Sequence, residues 1–351
     1  MKNFLVFFRK IIPEKSCCFV FIILLLCFSS STAAKEEDSE KLKKDYFLSQ
    51  SLKLGKKTVQ SAFFSPNDQQ AVILSGSSSL EIFKIQNGKR LSVISSHEHK
   101  AISLVLHAGG KLAVTGGQDD TVRIWSTDQS TVQAVMRGHL SAVSVLALNT
   151  GGEILASGSL DGTVILWNMK EHEFLKSTKV IGKSSIKSLA FHPNGKILAI
   201  GGEDGSLQFR SIPEMKLITT LSGHKNSIND LEFNPRGNLF VSASEDGRVI
   251  IWDWKVKKQR SKINFEEAVS TININPKLAE IVVGTAGGRL ETWSITKGTL
   301  LHQITESGPL ISSAGYDRNG SRIISALEDG TVQIWENGVS LHMKTFSGHE
   351  R

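Results

Sequence analysis

A repeat with a period near 42 residues is the feature that most restricts how this chain can fold. Each copy contains an apolar run whose closing position recurs at intervals of 42, 42, 43, 42, 41 and 42 residues. The closing positions are Phe83, Trp125, Trp167, Arg210, Trp252, Trp293 and Trp335. Turns rich in asparagine, glycine and proline separate the strand-length runs. Because one small sheet leaves both of its faces unburied, each copy must pack against its neighbours.

The copy that runs from Gly138 to Asn168 is the most complete. It opens with Gly138-His139 and ends with an Asp161-Gly162 turn before the apolar run that closes at Trp167. The runs between these points have the length and composition of strands. Three strands in the copy and an outer strand leading to the next copy make four, and a period of about 40–45 residues with four strands is typical of a propeller blade.

These motifs make residues 46–351 similar to the WD-repeat β-propeller family. Gly223-His224 and Gly348-His349 repeat the opening pair, and Trp252-Asp253 repeats the closing one. The resemblance implies an all-β fold, a seven-bladed β-propeller of four-stranded antiparallel blades. It implies little about function, since this fold carries many functions.

The resemblance also implies a buried network that links a loop histidine, a strand serine or threonine, a turn aspartate and the closing tryptophan. Its members here are His97, Thr115, Asp119 and Trp125 in blade two, His139, Ser157, Asp161 and Trp167 in blade three, His224, Ser242, Asp246 and Trp252 in blade five, and Ser325, Asp329 and Trp335 in blade seven. An incomplete network leaves a buried polar group at a cost of about 1–3 kcal/mol. We therefore expect blades three and five to be the most rigid, and blades one, four and six to depend on apolar packing.

Closure of the ring has two candidate strands. In the family the first outer strand, here near residues 46–54, commonly completes the last blade, but residues 340–347 have the same pattern. Either the two termini compete for one edge of a seven-bladed ring, which we favour, or the chain is a fragment of a longer array.

Residues 1–34 have the pattern of a secretory signal peptide. A basic segment ends at Lys15, residues 17–28 are apolar, and the small residues 29–34 suit a signal peptidase. The apolar run has 12 residues, fewer than the roughly 20 needed to span a bilayer. We expect a secreted or periplasmic protein, with an uncleaved signal anchor, and so a membrane-anchored protein, as the alternative. Residues 35–45 are predicted to be a charged linker.

Composition restricts the chemistry further. All three cysteines lie in residues 1–34, so the mature chain has no disulfide and no thiolate metal site. The net charge is +7, and residues 1–34 hold four cations and one carboxylate, which leaves about +4 for the rest. That charge is too low to indicate a nucleic-acid partner, because phosphate binding needs clustered charge.

No catalytic or cofactor motif is evident. His97-Glu98-His99 has the spacing of a metal chelator, but we interpret it as one network histidine beside a solvated loop histidine. The recurrent aspartates are explained by the turn that each one terminates. The chain is thus predicted to be no enzyme and to need no cofactor and no metal, with a propeller enzyme that uses a central-channel site as an alternative.

The remaining signal concerns the surface. In the family, partners usually bind the face formed by the loops between blades and the turns between second and third strands. Blade three would present Leu140 and Leu160 there, where other copies have polar residues, and these leucines predict an apolar contact. Its polar surround would be Glu98, His99, Lys100, Lys225 and Asn226.

A second surface signal lies on the opposite side, around Trp254. The cations there are Lys255, Lys257, Lys258, Arg260 and Lys262. We interpret them as a solvated strand edge, with an acidic partner or an anionic lipid as the alternative.

The function that the sequence favours is a monomeric, exported, non-catalytic scaffold that binds protein or peptide partners, with no nucleic-acid partner. A membrane-tethered adaptor is the alternative if residues 1–34 are retained.

Overall fold

The computed structural model describes residues 45–55, 57–76, 78–95, 97–180 and 184–338. Over these residues the chain forms seven four-stranded antiparallel sheets and no helix. Consequently no membrane-spanning helix occurs in the described ranges. The predicted signal segment, nearly all of the linker, and residues 340–351 lie outside them.

The first strand, β1 (Asp45–Lys53), precedes the six blades that follow one another along the chain. Blade one contains β2 (Val59–Phe64), β3 (Gln70–Ser75), β4 (Ser79–Lys84) and β5 (Lys89–Ser95). Blade two contains β6 (Ala101–Leu106), β7 (Leu112–Gly117), β8 (Thr121–Ser126) and β9 (Thr131–Arg137). Blade three contains β10 (Val143–Leu148), β11 (Ile154–Ser159), β12 (Thr163–Asn168) and β13 (Glu173–Lys179).

Blade four contains β14 (Ile186–Phe191), β15 (Ile197–Gly202), β16 (Leu207–Ser211) and β17 (Leu217–Leu221). Blade five contains β18 (Ile228–Phe233), β19 (Leu239–Ser244), β20 (Arg248–Asp253) and β21 (Lys258–Asn264). Blade six contains β22 (Val269–Ile274), β23 (Glu280–Thr285), β24 (Leu290–Ser294) and β25 (Leu300–Thr305). Blade seven contains β26 (Ile311–Tyr316), β27 (Arg322–Leu327) and β28 (Thr331–Gly338).

Blade seven is completed by the N-terminal strand. Its sheet has the order β1-β28-β27-β26, so β1 occupies the outer edge and joins the two ends of the repeat array. The seven-bladed fold that the repeat predicted is therefore confirmed. The competing segment 340–347 lies outside the described residues.

The hydrophobic core is divided into clusters, each packed between neighbouring blades. One cluster joins Val241 and Ile251 of blade five to Ile272 and Ile281 of blade six. The second and third strands supply most of its fully buried side chains, and Val269 of the inner strand β22 supplies another. Stacking of blades thus buries the sheet faces that a single copy would leave exposed, which is the physical reason for the repeat.

Every inner strand has a β-bulge at the same place. Pairing between the inner and second strands skips the second residue of the inner strand in all seven blades, for example between Val143 and Val145. A bulge changes the direction in which nearby side chains point. Here it allows the second or third side chain to reach the inner strand of the next blade.

Six of the seven junctions between blades are bridged in this way, by a side chain that donates a hydrogen bond to the first carbonyl of the next inner strand. The bridges are Ser103 to Val143 (3.5 Å), Ser144 to Ile186 (2.5 Å), Ser188 to Ile228 (2.6 Å), Asn229 to Val269 (3.0 Å), Ser270 to Ile311 (2.5 Å) and Ser312 to Val59 (2.7 Å). At the junction of blades one and two, no described side chain of β2 makes such a bond.

The antiparallel order places connections on two opposite faces. We call the face with the loops between blades and the turns between second and third strands the loop face. The opposite face, with the turns between first and second strands and between third and outer strands, is called the turn face.

Candidate functional site

The loop face of blade three is held together by a buried polar network. His139 Nε2 lies 2.7 Å from Ser157 Oγ, and Trp167 Nε1 donates to the same oxygen at 2.8 Å. His139 Nδ1 lies 3.0 Å from Thr163 Oγ1 and 3.5 Å from Asp161 Oδ2. Asp161 also accepts the backbone N–H groups of Leu140 and Thr163, so one carboxylate joins the loop to the turn.

Blade two has an equivalent network. His97 bridges Asp119 and Thr115 with both contacts at 2.8 Å, and Trp125 donates to Thr115 at 2.8 Å. His97 is the buried histidine, whereas His99 is exposed.

Blade five repeats the arrangement. His224 bridges Asp246 at 3.2 Å and Ser242 at 2.7 Å, and Trp252 donates to Ser242 at 2.9 Å. In blade seven, Trp335 donates to Ser325 at 3.1 Å, and Asp329 accepts the backbone N–H of Thr331. The structure therefore brings together the predicted side chains in blades two, three and five, whereas in blade seven it joins Trp335 to Ser325 and leaves Asp329 bonded to its own turn.

Burial sets the charge states within these networks. Burial lowers the pKa of His97, His139 and His224, against the opposing effect of the neighbouring aspartates. Although burial opposes its ionisation, hydrogen bonds from Thr121 and His97 lower the pKa of Asp119 to about 2. These histidines are therefore neutral and the aspartate is ionised at neutral pH.

Blades one, four and six, for which we expected a dependence on apolar packing, also contain buried polar contacts. In blade one, the fully buried Glu81 accepts hydrogen bonds from Ser75 (2.7 Å) and Lys57 (2.9 Å), and Arg90 lies 3.3 Å away. Hydrogen bonds and ion pairs outweigh the effect of burial, so the pKa of Glu81 is lowered. A charged cluster thus replaces the missing histidine network.

Blades four and six contain related substitutes. In blade four, Arg210 takes the tryptophan position and donates to Gln208 and to the carbonyl of Met215. In blade six, Trp293 donates to Glu291 at 2.8 Å. Buried polar groups need partners. The Arg210 NH groups and Trp293 find theirs at a different strand position, whereas Arg210 Nε is buried without a hydrogen-bond partner among the described residues.

The sequence contains a signal for these substitutes that lies outside the repeat motif. Glu81, Gln208 and Glu291 all lie two residues before the closing position, on a strand that is otherwise buried. A polar residue at a position where the strand pattern requires burial implies a partner.

Two leucines project from the loop face of blade three. Leu140 is 87% exposed and Leu160 is 42% exposed. Asp161 connects the two positions: it follows Leu160 in the chain, and its carboxylate accepts the backbone N–H of Leu140 at 2.8 Å. The backbone of the loop is thus held by this hydrogen bond, while the Leu140 side chain lies in solvent.

The five predicted polar neighbours are also on this face and exposed. They are Glu98, His99, Lys100, Lys225 and Asn226. Glu98 lies 3.7 Å from Arg123, and the backbone N–H of Lys225 donates to Asp246. The turn aspartate therefore holds the loop in the same way in blades three and five. Of these two loops, the one in blade three presents a leucine and the one in blade five presents a lysine.

The described residues contain no group of three or more histidine, cysteine, aspartate or glutamate side chains placed to hold a metal ion.

Comparison with family models identifies the repeats. The WD domain, G-beta repeat model matches residues 88–126, 130–168, 215–253 and 298–336. Each matched segment contains a tryptophan that donates to a strand serine or threonine. The Anaphase-promoting complex subunit 4 WD40 domain model matches residues 178–229. The chain belongs to the WD-repeat β-propeller family.

Similarity to a curated protein is confined to a small part of each chain. Pre-mRNA-processing factor 19 of Bos taurus is 29% identical over 80 residues, which is 22% of this chain and 16% of that protein. Propellers of the WD-repeat family generally act as non-catalytic scaffolds for protein partners.

Proposed function

We propose that this WD-repeat propeller is a non-catalytic scaffold that binds protein or peptide partners through the loop face of blade three. The observation that carries the proposal is a solvent-exposed Leu140 on a loop that Asp161 holds in place. A contact residue whose backbone is already ordered loses little conformational entropy on binding.

The arrangement of apolar and polar groups fits a protein contact. Complete burial of one leucine side chain stabilises a complex by about 1.5–3 kcal/mol. Central apolar contacts are strongest when polar neighbours exclude water around them. Glu98 to Lys100 are exposed on the same face in the neighbouring blade two, and Lys225 and Asn226 are exposed on it in blade five.

The partner itself is not suggested by the curated relative. The name of that protein concerns pre-mRNA processing, but the match covers 16% of its length. The proposal therefore names a class of partner, protein or peptide, and no particular complex.

The compartment is part of the proposal. The basic, apolar and small-residue order of residues 1–34 supports export and a secreted or periplasmic mature protein. N-terminal sequencing of the mature chain tests this. A start near Lys35 supports release, whereas an intact N-terminus supports the membrane-anchored alternative.

Affinity capture from the native compartment tests the binding face. The double variant with Leu140→Asp and Leu160→Asp should bind its partners about tenfold more weakly than wild type. Each aspartate removes apolar area and introduces a charge into the contact. The matched control is Leu91→Asp with Val132→Asp, two residues of outer strands β5 and β9 that are each 48% exposed. Retention of every partner by the first variant contradicts the proposal.

A further inference from the structure

The fold separates charges that the sequence mixes. On the loop face of blades four to six, exposed carboxylates predominate, at Glu203, Asp204, Glu245 and Glu266. The turn face of the same three blades carries cations. The small average charge of the chain therefore conceals two faces of opposite sign.

The turn face of blades four to six contains eight cations and three carboxylates in its turns and in the strand residues that border them. The cations are Lys196, Lys216, Arg236, Lys255, Lys257, Lys258, Lys277 and Lys297, and the carboxylates are Glu214, Asp253 and Glu280. We call this set of turns the basic sector. The repeat brings Lys196, Arg236 and Lys277 to the same face, because each lies in the turn between the first and second strands of its blade.

Seven of these eight cations are exposed, and within the described residues none of the eight lies in an ion pair. Lys257 instead folds over the ring of Trp254, with Nζ 2.8 Å from its centroid, and donates to the Trp254 carbonyl. Asp253 accepts the backbone N–H groups of Lys255 and Val256, so it orders the turn that presents the lysines.

Two apolar tips accompany the charge. Val256 lies between Lys255 and Lys257 and is 57% exposed, and Leu278 follows Lys277 and is 54% exposed. Trp254, the aromatic residue of this region, is only 8% exposed and packs against Phe209 and Phe233. The sector therefore offers lysines and aliphatic tips to solvent, without the exposed aromatic rings on which single-stranded nucleic acids stack.

We infer that the basic sector docks on an anionic lipid surface, with Val256 and Leu278 entering the interfacial region and the surrounding lysines and arginine facing the headgroups. A surface that combines aliphatic tips with lysines matches the chemistry of a membrane interface, where each basic residue strengthens binding to anionic headgroups about fivefold. The loop face remains turned away and available for protein partners.

Vesicle binding by the full chain tests the inference. The lipid probes are vesicles of phosphatidylcholine mixed with phosphatidylglycerol and vesicles of phosphatidylcholine alone. The wild-type chain should prefer the mixed vesicles, and this preference should weaken as salt is raised. Binding to phosphatidylcholine alone reports any contribution of the apolar residues 17–28, so the preference for mixed vesicles is the readout.

A matched pair of variants locates the contact. Lys255→Glu with Lys277→Glu should lower the preference for mixed vesicles about a hundredfold, because four units of charge change in the sector. Lys100→Glu with Lys225→Glu changes the net charge equally on the loop face and should have little effect. Thermal melting of each variant verifies folding, and Lys255→Gln with Lys277→Gln should give an intermediate loss.

Three outcomes would overturn the inference. They are an equal loss in both reversal variants, wild-type binding that does not distinguish the two vesicles, and binding of a single-stranded oligonucleotide in place of mixed vesicles. Failure here is distinguishable from failure of the proposed scaffold function, since that function is measured with Leu140→Asp and Leu160→Asp.

Discussion

At the junction of blades five and six, three side chains of β18 reach the backbone of β22. Asn229 donates to the carbonyl of Val269, and Asp230 and Glu232 accept the N–H groups of Ile272 (2.9 Å) and Ile274 (2.7 Å). At the junction of blades one and two, described side chains of β2 make no bond to β6.

At the junction of blades one and two, β2 has polar residues at the two bridging positions, Gln60 and Ser61, but neither bonds to a described residue of blade two. Gln60 Nε2 donates to Thr58 and to the carbonyl of Gly76 within its own blade. Gln60 Oε1 and Ser61 Oγ are buried without a hydrogen-bond partner. The two junctions share a backbone bulge and differ in side-chain pairing, so the bulge permits a bridge but does not ensure one.

The largest expected effect comes from removing the carboxylates of the bridged junction. Asp230→Ala with Glu232→Ala leaves two buried N–H groups unpaired and should lower the free energy of unfolding by about 4 kcal/mol. Urea denaturation at pH 5 measures it. Glu245→Ala with Glu266→Ala removes two exposed carboxylates and should change stability by less than about 0.5 kcal/mol. Similar losses in both variants would mean that β18 and β22 do not depend on this bridge.

The pH dependence of the same junction is the next largest effect. Burial raises the pKa of Asp230 to about 6 and holds the pKa of Glu232 well above its usual range, although both accept backbone hydrogen bonds. A raised pKa contributes stability that is complete below the unfolded-state pKa, near 4, and is lost as pH rises through about 6.

Amide variants isolate this contribution. Asp230→Asn with Glu232→Gln cannot ionise, so the free energy of unfolding of the variant relative to wild type should increase between pH 5 and pH 8, by about 1.4 kcal/mol from Asp230 alone. The buried histidines, whose lowered pKa values act in the opposite direction, are present in both proteins and cancel. A constant difference across this range would show that the carboxyls titrate normally.

Serine substitutions compare the junctions directly. Ser188 and Ser61 are both the third residue of an inner strand, but only Ser188 donates to the next blade, at 2.6 Å. Ser188→Ala should therefore cost about 1 kcal/mol, whereas Ser61→Ala should be neutral or slightly stabilising. Denaturant midpoints of the two variants give the comparison, and equal costs would remove the distinction.

The smallest predicted effect is a bridge added to the open junction. Gln60→Ser places a hydroxyl at the bulge position that Ser144, Ser270 and Ser312 use. It should slow hydrogen exchange in β2 and β6 and stabilise the chain by about 0.5–1 kcal/mol relative to Gln60→Ala. Unchanged exchange would indicate that these strands lie too far apart for a serine to span.

The number of blades and most strand positions could be predicted from the sequence. Strand alternation, turn residues and the recurrence of Trp167-like positions are local patterns, and local geometry determines them. The network in blade three could also be predicted, because its residue types recur at fixed spacing in other blades.

Other contacts could not be predicted. Asp230 bonds to Ile272, which is 42 residues away, and nothing near Asp230 in the sequence specifies that partner. The polar substitutes in blades one, four and six were missed because each blade solves the same burial problem with different residues. Glu81, for example, recruits Lys57 and Arg90, which lie outside any repeated motif.

The sequence by itself determined the repeating unit, its four strands and the polar positions of its turns, because hydrophobic period and turn chemistry act over a few residues. Tertiary structure alone decided which junctions are bridged, how Leu140 is presented and how charge is divided between the two faces. The bridges and the division of charge depend on bringing together residues from copies about 42 positions apart, in a ring that β1 closes. The position of Leu140 depends on Asp161, which is 21 residues away and bonds to the loop across its own copy.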